Sequence, residues 1–372
     1  MLAVALAALA VHLLAWAWIA AGLNHVRDAQ PEPGAPTPPR PLSIVVAAHN
    51  EESRLPALLD ALEQQTHPAF EVIVVDDRST DGTAALVEQR ARAWAAEGGR
   101  DLRLVTVSPD EPEAAGRPPK KHALTRGIEA ARHDRLALTD ADTTPPPTWL
   151  SFFGLESQEP GTDAPDDGAV LVGYGPLVGG QGIGGLFVRY ETVLTAVLTA
   201  AAVGHGRAYM AVGRNLSYPR ALPARLGGFA GGLSGDDDLL VQAAAAAGVP
   251  VRYVLDRAAF VPSAAPPGVR AWLRQKRRHA SAGRRYPVAV LAALGLFHAS
   301  ALALWLAPLA LGWTGGALLA ARLLVQRGAL RRVFSDFDAL DLSFPHPFLD
   351  LLYALYNVLF SILGALPDPR RW

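Results

Sequence analysis

"FEVIVVDD", residues 70–77, places an apolar, β-branched run directly before two aspartates. Such a run is typical of a strand that is buried on both faces of a sheet. The upstream stretch "LSIVVAAHN" (42–50) has the same pattern, and residues 50–65 follow it with helical periodicity. After the aspartates, "STDGTAALVEQRARAW" (79–94) begins with turn and capping signals and continues as a helix. This alternation predicts right-handed crossovers and a mostly parallel α/β sheet.

Two more strands extend the alternation as far as residue 142. The runs "LRLVTV" (102–107) and "RLALTDAD" (135–142) are predicted strands, and the helical stretch "KKHALTRGIEAA" (120–131) separates them. In open α/β sheets, ligands bind outside the carboxyl ends of the strands. We therefore expect a functional site where these strands end.

Acidic pairs stand at two of those strand ends. Asp76 and Asp77 end one strand, and Asp140 and Asp142 end another. Residues two apart along a strand point the same way, so Asp140 and Asp142 could face one divalent cation. Because Mg²⁺ and Mn²⁺ prefer oxygen ligands and often bridge substrate phosphates, this spacing predicts a metal site.

A basic pair, together with missing nucleotide-binding motifs and missing cysteines, indicates which class of ligand the protein binds. Lys120 and Lys121 precede the second acidic pair, and a cation together with lysines suits a diphosphate. Neither the Walker pattern nor G-x-G-x-x-G follows the first strand, which argues against a P-loop ATPase and a typical dinucleotide binder. The chain has no cysteine, which excludes thiolate chemistry and disulfides, and its net charge of −1 gives no argument for a nucleic-acid partner.

Apolar segments flank the predicted α/β domain. Residues 1–23 are long and apolar enough to span a membrane, and a proline-rich linker (24–41) follows them. A cleaved signal peptide is the alternative, although the basic n-region is missing. The domain itself is predicted over residues 42–286, with a basic segment at 270–286 that suits a membrane interface. Residues 287–372 form a C-terminal membrane region.

That C-terminal region contains two to three hydrophobic segments. They are residues 288–311, the shorter 312–326 and 347–366, and their density of Leu and Ala argues against buried helices of a soluble protein. Arginines cluster before and between them. The positive-inside rule then places the α/β domain in the cytoplasm, so the sequence predicts a multi-pass protein of a bacterial inner membrane.

Three consecutive aspartates stand in "GGLSGDDDLLVQAAAAAG" (231–248). Acidic residues suit the first turn of a helix, where free N–H groups and the helix dipole stabilise negative charge. A chemical role for one of the three is the alternative, because like-charged neighbours raise the pKa of a carboxylate and make it a better base.

Six segments, in order, resemble the inverting family 2 glycosyltransferases with a GT-A fold, the group that includes cellulose, hyaluronan and chitin synthases. These segments are "VVAAHNEE", "VVDDRSTDGT", "KKHALTRGIEAA", "TDADTTPPPTWL", "GRNLSYPR" and "SGDDDLL". The resemblance covers residues 42–286. It implies a GT-A domain, a mostly parallel Rossmann-like sheet that binds a nucleotide-diphospho-sugar.

The resemblance also implies a role for each matching residue. Asp237 takes the place of the catalytic base and Asp236 that of its acidic neighbour. Asp142 is the implied metal ligand, and Asp140 contacts both the metal and the donor. The remaining donor-side residues are Ala48, His49, Glu51, Asp76, Asp77 and Lys120 or Lys121. The acceptor-side residues are Gly213, Asn215, Gln275 and Arg278.

One departure from the family pattern bears on the product. Processive synthases carry Q-x-x-R-W after the base, whereas Gln275 and Arg278 are followed here by His279. The missing Trp argues against a long polymer. We therefore expect transfer of a sugar from a nucleotide-sugar, UDP-linked, to a hydroxyl of a lipid or amphipathic acceptor, with Mg²⁺ or Mn²⁺. The alternatives are a processive polysaccharide synthase and a non-catalytic membrane scaffold with a nucleotide-sugar fold.

Overall fold

The computed structural model describes residues 1–30, 39–98, 100–108, 111, 118–154, 168–229 and 235–365. Residues 31–38 of the predicted linker, residues 231–234 of the aspartate stretch and the terminal residues 366–372 lie outside the described residues. The helices and strands, numbered in chain order, are α1 (Leu2–Asp28), β1 (Leu42–Ala48), α2 (Leu55–Glu63), β2 (Phe70–Asp77), α3 (Thr83–Ala96), β3 (Asp101–Val107), α4 (Pro119–Ala130), β4 (Arg135–Asp140), β5 (Val170–Gly173), β6 (Leu177–Val178), α5 (Gly182–Gly204), β7 (Leu216–Pro219), α6 (Leu222–Arg225), α7 (Asp238–Ala246), β8 (Val251–Val254), β9 (Ser263–Ala264), α8 (Gly268–Gly283), α9 (Val288–Leu311), α10 (Trp313–Asp336) and α11 (His346–Ala365).

The described chain divides into two compact units. The sheet unit comprises residues 29–176 and 210–264, and the helical unit comprises residues 1–28, 177–209 and those from 265 on. Of the predicted domain 42–286, residues 177–209 and 265–286 therefore belong to the helical unit.

The sheet unit is built on seven strands in the order β3-β2-β1-β4-β7-β5-β8. Strands β1 to β4 pair in parallel, whereas β7 is antiparallel to both β4 and β5. The predicted mostly parallel α/β fold is confirmed. In this register Ala48 lies beside Asp76 and Ala47 beside Asp140, so the carboxyl ends of the three central strands meet at one edge.

The apolar runs form the core of the sheet unit because their apolar side chains are buried away from water. Every residue of β2 is buried, and Leu55, Leu58 and Leu62 turn one face of α2 toward the same core. Helix α4 approaches the sheet closely at Gly127, where an added Cβ would lie 2.5 Å from a methyl group of Val45. That distance leaves no room for a side chain, so glycine is required there.

Three predicted boundaries differ from the structure. Helix α1 runs to Asp28, so the predicted linker does not begin at residue 24. Helix α2 begins at Leu55 rather than at residue 50, because Asn50 has a left-handed backbone (φ 56°) that ends the strand in a turn. Strand β4 ends at Asp140, so Asp142 lies in the following turn. The alternation of side chains along a strand therefore does not explain the position of Asp142.

Among the described residues of the helical unit, three helices are long and apolar enough to cross a membrane. They are α1, α5 and α9. The sequence argument anticipated α1 and α9 as membrane spans but did not identify α5. The predicted segment 312–326 forms one helix with the arginine-rich residues after it, α10, and residues 347–365 lie in α11.

Candidate active site in the sheet unit

The loops after β1 and β2 are fastened to each other by side-chain to backbone hydrogen bonds. Asn50 Oδ1 accepts from the Thr80 N–H (2.8 Å), and Glu52 Oε2 accepts from the Gly82 N–H (2.9 Å). The Glu51 N–H donates to Thr83 Oγ1 (2.9 Å). The segments "HNEE" and "RSTDGT" thus form one rigid rim beside the ends of β1 and β2.

Four of the predicted donor-side residues stand on or beside this rim. His49 Nδ1 lies 2.6 Å from the backbone oxygen of Asp77, and Asp77 Oδ1 accepts from Arg78 Nε at 2.7 Å. Asp76 is buried, and its Oδ1 has no hydrogen-bond partner among the described residues. A buried carboxylate oxygen without a donor is costly, so Asp76 is ready to accept a hydrogen bond from a ligand. Ala48 ends β1 beside it.

Lys120 brings two distant acidic segments to one point. Its Nζ lies 3.0 Å from Asp140 Oδ1 at the end of β4 and 3.1 Å from Asp236 Oδ2 just before α7. Burial alone would lower the pKa of Lys120, but Asp140, Asp236 and Asp237 together raise it above its ordinary value. Lys120 is therefore a fixed positive charge in the site. Lys121 is buried, whereas Lys120, which contacts both carboxylates, is partly exposed.

Asp142 lies close enough to Asp140 for the two charges to interact. Burial raises the pKa of Asp142, and the Asp140 charge raises it further, while Arg214, Arg54 and a hydrogen bond with Ser263 oppose the rise. A carboxylate whose pKa is raised by a neighbouring carboxylate is a suitable place for a divalent cation, which would relieve the repulsion.

Glu51 belongs to the same electrostatic group. Burial raises the pKa of its carboxyl, Asp142 and Asp140 add to the rise, and Arg54 opposes it. Glu51 Oε2 lies 3.4 Å from Arg54 Nη1. The predicted donor-side residue Glu51 and the predicted metal ligands are therefore neighbours.

The three aspartates divide into different roles at the start of α7. Asp237 is the N-cap, and its Oδ1 accepts from the Asp238 N–H at 2.8 Å. Its Oδ2 accepts from the Gly213 N–H at 2.8 Å. Asp238 Oδ1 accepts from the Ala211 N–H at 3.1 Å, so Asp238 also fastens the 211–213 segment and is more than a first-turn charge.

The environment of Asp237 makes it a stronger base than an ordinary aspartate. Burial, reinforced by the Asp236 charge, raises the pKa of Asp237 from 3.8 to about 6. Lys120 and the two backbone N–H donors oppose the rise. The carboxylate is therefore largely ionised at neutral pH and retains appreciable affinity for a proton.

The predicted acceptor-side residues fall into two groups. Gly213 supplies the N–H that holds Asp237, which makes it part of the site's frame. Asn215 is fully buried, where its oxygen accepts from Trp149 Nε1 and its nitrogen donates to the backbone oxygens of Tyr174 and Ala259. These contacts give Asn215 a structural role rather than an exposed contact surface.

Gln275 and Arg278 lie on α8 in the helical unit, and the structure therefore assigns them to a different compact unit from the aspartates. Their acceptor-side role remains a prediction.

Sequence reasoning missed the cations and the hydroxyl around Asp142. Arg54 follows Glu51 at the i, i+3 spacing, which is a weak helical signal. Arg214 lies inside the quoted segment "GRNLSYPR", and its Nη2 donates to the backbone oxygen of Gly175. Ser263 lies far from Asp142 along the chain, and only the folded sheet brings them together.

Known proteins resemble this chain in both sequence and fold. The profile described as "Glycosyl transferase family group 2" matches residues 137–360, and "Glycosyl transferase family 2" matches residues 43–176. Human dolichyl-phosphate beta-glucosyltransferase is 32% identical over 114 residues, which are 28% of this chain and 32% of that protein. A Pasteurella multocida hyaluronan synthase is 30% identical over 133 residues, 36% of this chain and 12% of that enzyme. The match thus spans at most about a third of these relatives' lengths.

A mannosyltransferase from Pyrobaculum calidifontis, solved with GDP-Man and Mn²⁺, has the same fold. It superposes with a TM-score of 0.51 at 22% identity, over 95% of this chain and 99% of that one. The expected GT-A-type fold is confirmed. The family group 2 profile alone covers more than half of the chain, and the chain therefore belongs to glycosyl transferase family group 2.

Proposed function

We propose that this protein is a membrane-bound glycosyltransferase that moves a sugar, with inversion, from a nucleotide-sugar to a hydroxyl of a lipid or amphipathic acceptor. The observation that carries the proposal is the position of Lys120, which contacts Asp140 on the donor side and Asp236 beside the proposed base. Donor and base groups therefore lie within reach of one substrate.

On the donor side, the rim beside β1 and β2 suits a nucleoside. The Oδ1 of Asp76, which has no partner in the described part of the chain, would accept a hydrogen bond from the base or ribose, and His49 and Glu51 border the same rim. Lys120 would meet the diphosphate, since a partly buried ammonium is well matched to phosphate oxygens. A UDP-linked sugar is our proposal for the donor.

The residues present also fit a divalent metal. Asp140 and Asp142 supply two carboxylates, and the described residues contain no group of three or more potential ligands. This fits Mg²⁺ or Mn²⁺, which commonly takes one or two protein carboxylates and completes its shell with substrate phosphates. When bound, the metal would neutralise charge that develops on the leaving diphosphate.

Asp237 is the proposed general base. Its raised pKa lets it take the proton from the attacking hydroxyl while it is still ionised at neutral pH. Two backbone N–H groups hold the carboxylate in place, so its orientation does not depend on the acceptor. Asp236 supports the base by raising its pKa and by binding Lys120. The leaving diphosphate needs no protein acid, because Lys120 and the metal would take up its charge.

The apolar helices and the relatives support a membrane-linked acceptor. One relative is named for dolichyl phosphate, a lipid. Exposed arginines stand at the end of α8 (Arg284 and Arg285) and on the last turns of α10 (Arg327, Arg331 and Arg332). By the positive-inside rule this end of the helices faces the cytoplasm, which supports a multi-pass orientation in a bacterial inner membrane.

A processive polysaccharide synthase is the second candidate, because one relative is a hyaluronan synthase and Gln275 and Arg278 keep the Q-x-x-R spacing. His279 is exposed at the position where a Trp would stack on the acceptor sugar, which favours short products.

The decisive experiment incubates membranes that contain the protein with labelled UDP- and GDP-sugars and Mn²⁺, followed by mass spectrometry of the lipid fraction. The Asp237→Asn protein is the matched control. We expect lipids that gain one or two sugars only with the unaltered chain. Long labelled polysaccharide would favour the synthase, and the absence of any transfer from all donors would reject the proposal in favour of a non-catalytic scaffold.

A further inference from the structure

Arg214 lies in the turn that leads into strand β7, two residues before Leu216. Strand β7 runs antiparallel to β4, and Leu216 pairs with Leu138, two residues before Asp140. The start of β7 is therefore beside the carboxyl end of β4, whereas its other end pairs with Arg135 at the amino end of β4. The fold thus brings Arg214 to the edge of the sheet where the acidic residues meet.

Two groups of the proposed active site are neighbours of Arg214. The N–H of the preceding residue, Gly213, donates to Asp237 Oδ2 at 2.8 Å, so Arg214 directly follows the residue that holds the proposed base. Its positive charge also opposes the burial that raises the pKa of Asp142, the proposed metal ligand. Arg214 is therefore close to both of these groups and lies wholly within the sheet unit.

The side chain of Arg214 is held in place by Gly175. Its Nη2 donates to the backbone oxygen of Gly175. Glycine is needed at that position, because an added Cβ would collide with Arg214 Nε. A guanidinium that is fixed in this way is preorganised, so a ligand that binds it loses little additional side-chain entropy.

Arg214 also has hydrogen-bond donors to spare. Within the described part of the chain, its side chain makes no ion pair and only the one hydrogen bond to Gly175. Nε is fully buried, but Nη1 is not, so Nη1 is open to a ligand. Arg54, the other cation that acts on Asp142, is different because it pairs with Glu51 at 3.4 Å. Charges that are partly removed from water are normally paired, so the open Nη1 indicates a place for an anion.

We propose that Arg214 binds an anionic group, such as a phosphate or a carboxylate, that the acceptor carries close to the hydroxyl that receives the sugar. A guanidinium is a planar donor fork that matches both of these anions. The diphosphate of the donor is assigned to Lys120, whereas Arg214 follows the residue that holds the base, which favours the acceptor. The inference rests on the proposed function and narrows its acceptor to an acidic lipid or an amphipathic acid.

The test follows the modification of arginines by phenylglyoxal in the detergent-solubilised full-length protein. Peptide mass spectrometry gives the rate at Arg214, first with UDP or GDP and Mn²⁺ alone. The acidic or the neutral lipid fraction of the membranes used for the transfer assay is then added. We expect only the acidic fraction to slow the modification of Arg214, by about tenfold, which is the strength of one hydrogen bond to a charged group.

Arg220 is the internal control for this measurement. It follows the other end of β7 and is paired with Asp134 at 3.5 Å, so its rate should not change. Protection of Arg214 by nucleotide and Mn²⁺ alone would assign it to the donor diphosphate and overturn the proposal. Equal protection by the two lipid fractions, or no protection, would also overturn it. The measurement needs no catalysis, so a failure of the proposed glycosyl transfer is seen separately, as the absence of labelled product.

Variants of Arg214 give a second readout. Arg214→Gln should raise KM for the acidic acceptor about ten- to a hundredfold and leave donor affinity, measured by calorimetry, unchanged. Arg214→Lys keeps the charge without the fork and should restore part of the loss. Arg220→Gln makes the same chemical change at the other end of β7 and should alter neither constant. Weaker donor binding, or a lower kcat at unchanged KM, would contradict the acceptor role. If Arg214→Gln fails to fold, the protection of the unaltered chain still decides.

Discussion

The raised proton affinity of Asp237 gives the sharpest prediction. Its pKa of about 6, compared with an ordinary 3.8, corresponds to about 3 kcal/mol of added cost for the ionised form, at 1.36 kcal/mol per pKa unit. Since the base must be ionised to accept a proton, transfer should rise with pH as Asp237 loses its proton near pH 6 and level off above it.

Replacing Asp237 by Asn removes the base at constant size. General base catalysis contributes about 10²- to 10⁴-fold, so we expect kcat to fall by that factor. Both carboxylate oxygens accept backbone N–H groups, and an amide can replace only one of them, at a cost of about 1–3 kcal/mol. Removal of the partly buried charge offsets that cost, so thermal stability and nucleotide affinity should change little.

Asp238→Asn is the matched control, because it makes the same chemical change one residue later. The asparagine oxygen can still accept from the Ala211 N–H, so activity should stay near that of the unaltered chain. The assay measures single-turnover transfer of a labelled sugar from about pH 5 to pH 8, with nucleotide affinity from calorimetry. Full activity of Asp237→Asn, or a greater loss in Asp238→Asn, would refute the assignment.

Three further predictions concern the frame of the site. Lys120→Met should weaken nucleotide-sugar binding about tenfold, which calorimetry measures. It should also move the rise in activity to higher pH, because Lys120 lowers the pKa of Asp237, and a pH profile of transfer measures this shift. Lys120→Arg is the control for both measurements. Asp142→Asn should require much more Mn²⁺ for activity, and an unchanged Mn²⁺ titration curve would exclude it as a ligand. Asn215→Leu should lower the free energy of unfolding by about 3–5 kcal/mol, seen in thermal melts, since it strands the Trp149 N–H and two carbonyls.

The hydrophobic pattern of each segment was sufficient to predict the strands, because that pattern depends only on neighbouring residues in the chain. The apolar run of β2 is buried throughout, that of β1 is buried except at the half-buried Ala47, and Asp76, Asp77 and Asp140 stand at the carboxyl ends that strand direction dictates. The helix start at the aspartate triplet was likewise readable, since Asp237 is the N-cap of α7. Boundaries were less certain, because Asn50 and Asp142 lie in turns whose backbone depends on neighbouring loops.

By itself the sequence determined the fold class, the apolar helices α1 and α9 and the set of acidic residues at the sheet edge, because hydrophobic periodicity and residue type carry that information. Only the tertiary structure brought Lys120 to both Asp140 and Asp236, placed Asn215 in the core and tied Asp237 and Asp238 to different backbone N–H groups. The contact of Lys120 with Asp140 and Asp236 joins residues from three segments. Their meeting follows from the strand order β1-β4-β7 and from the helices packed on it, and no local pattern encodes that order.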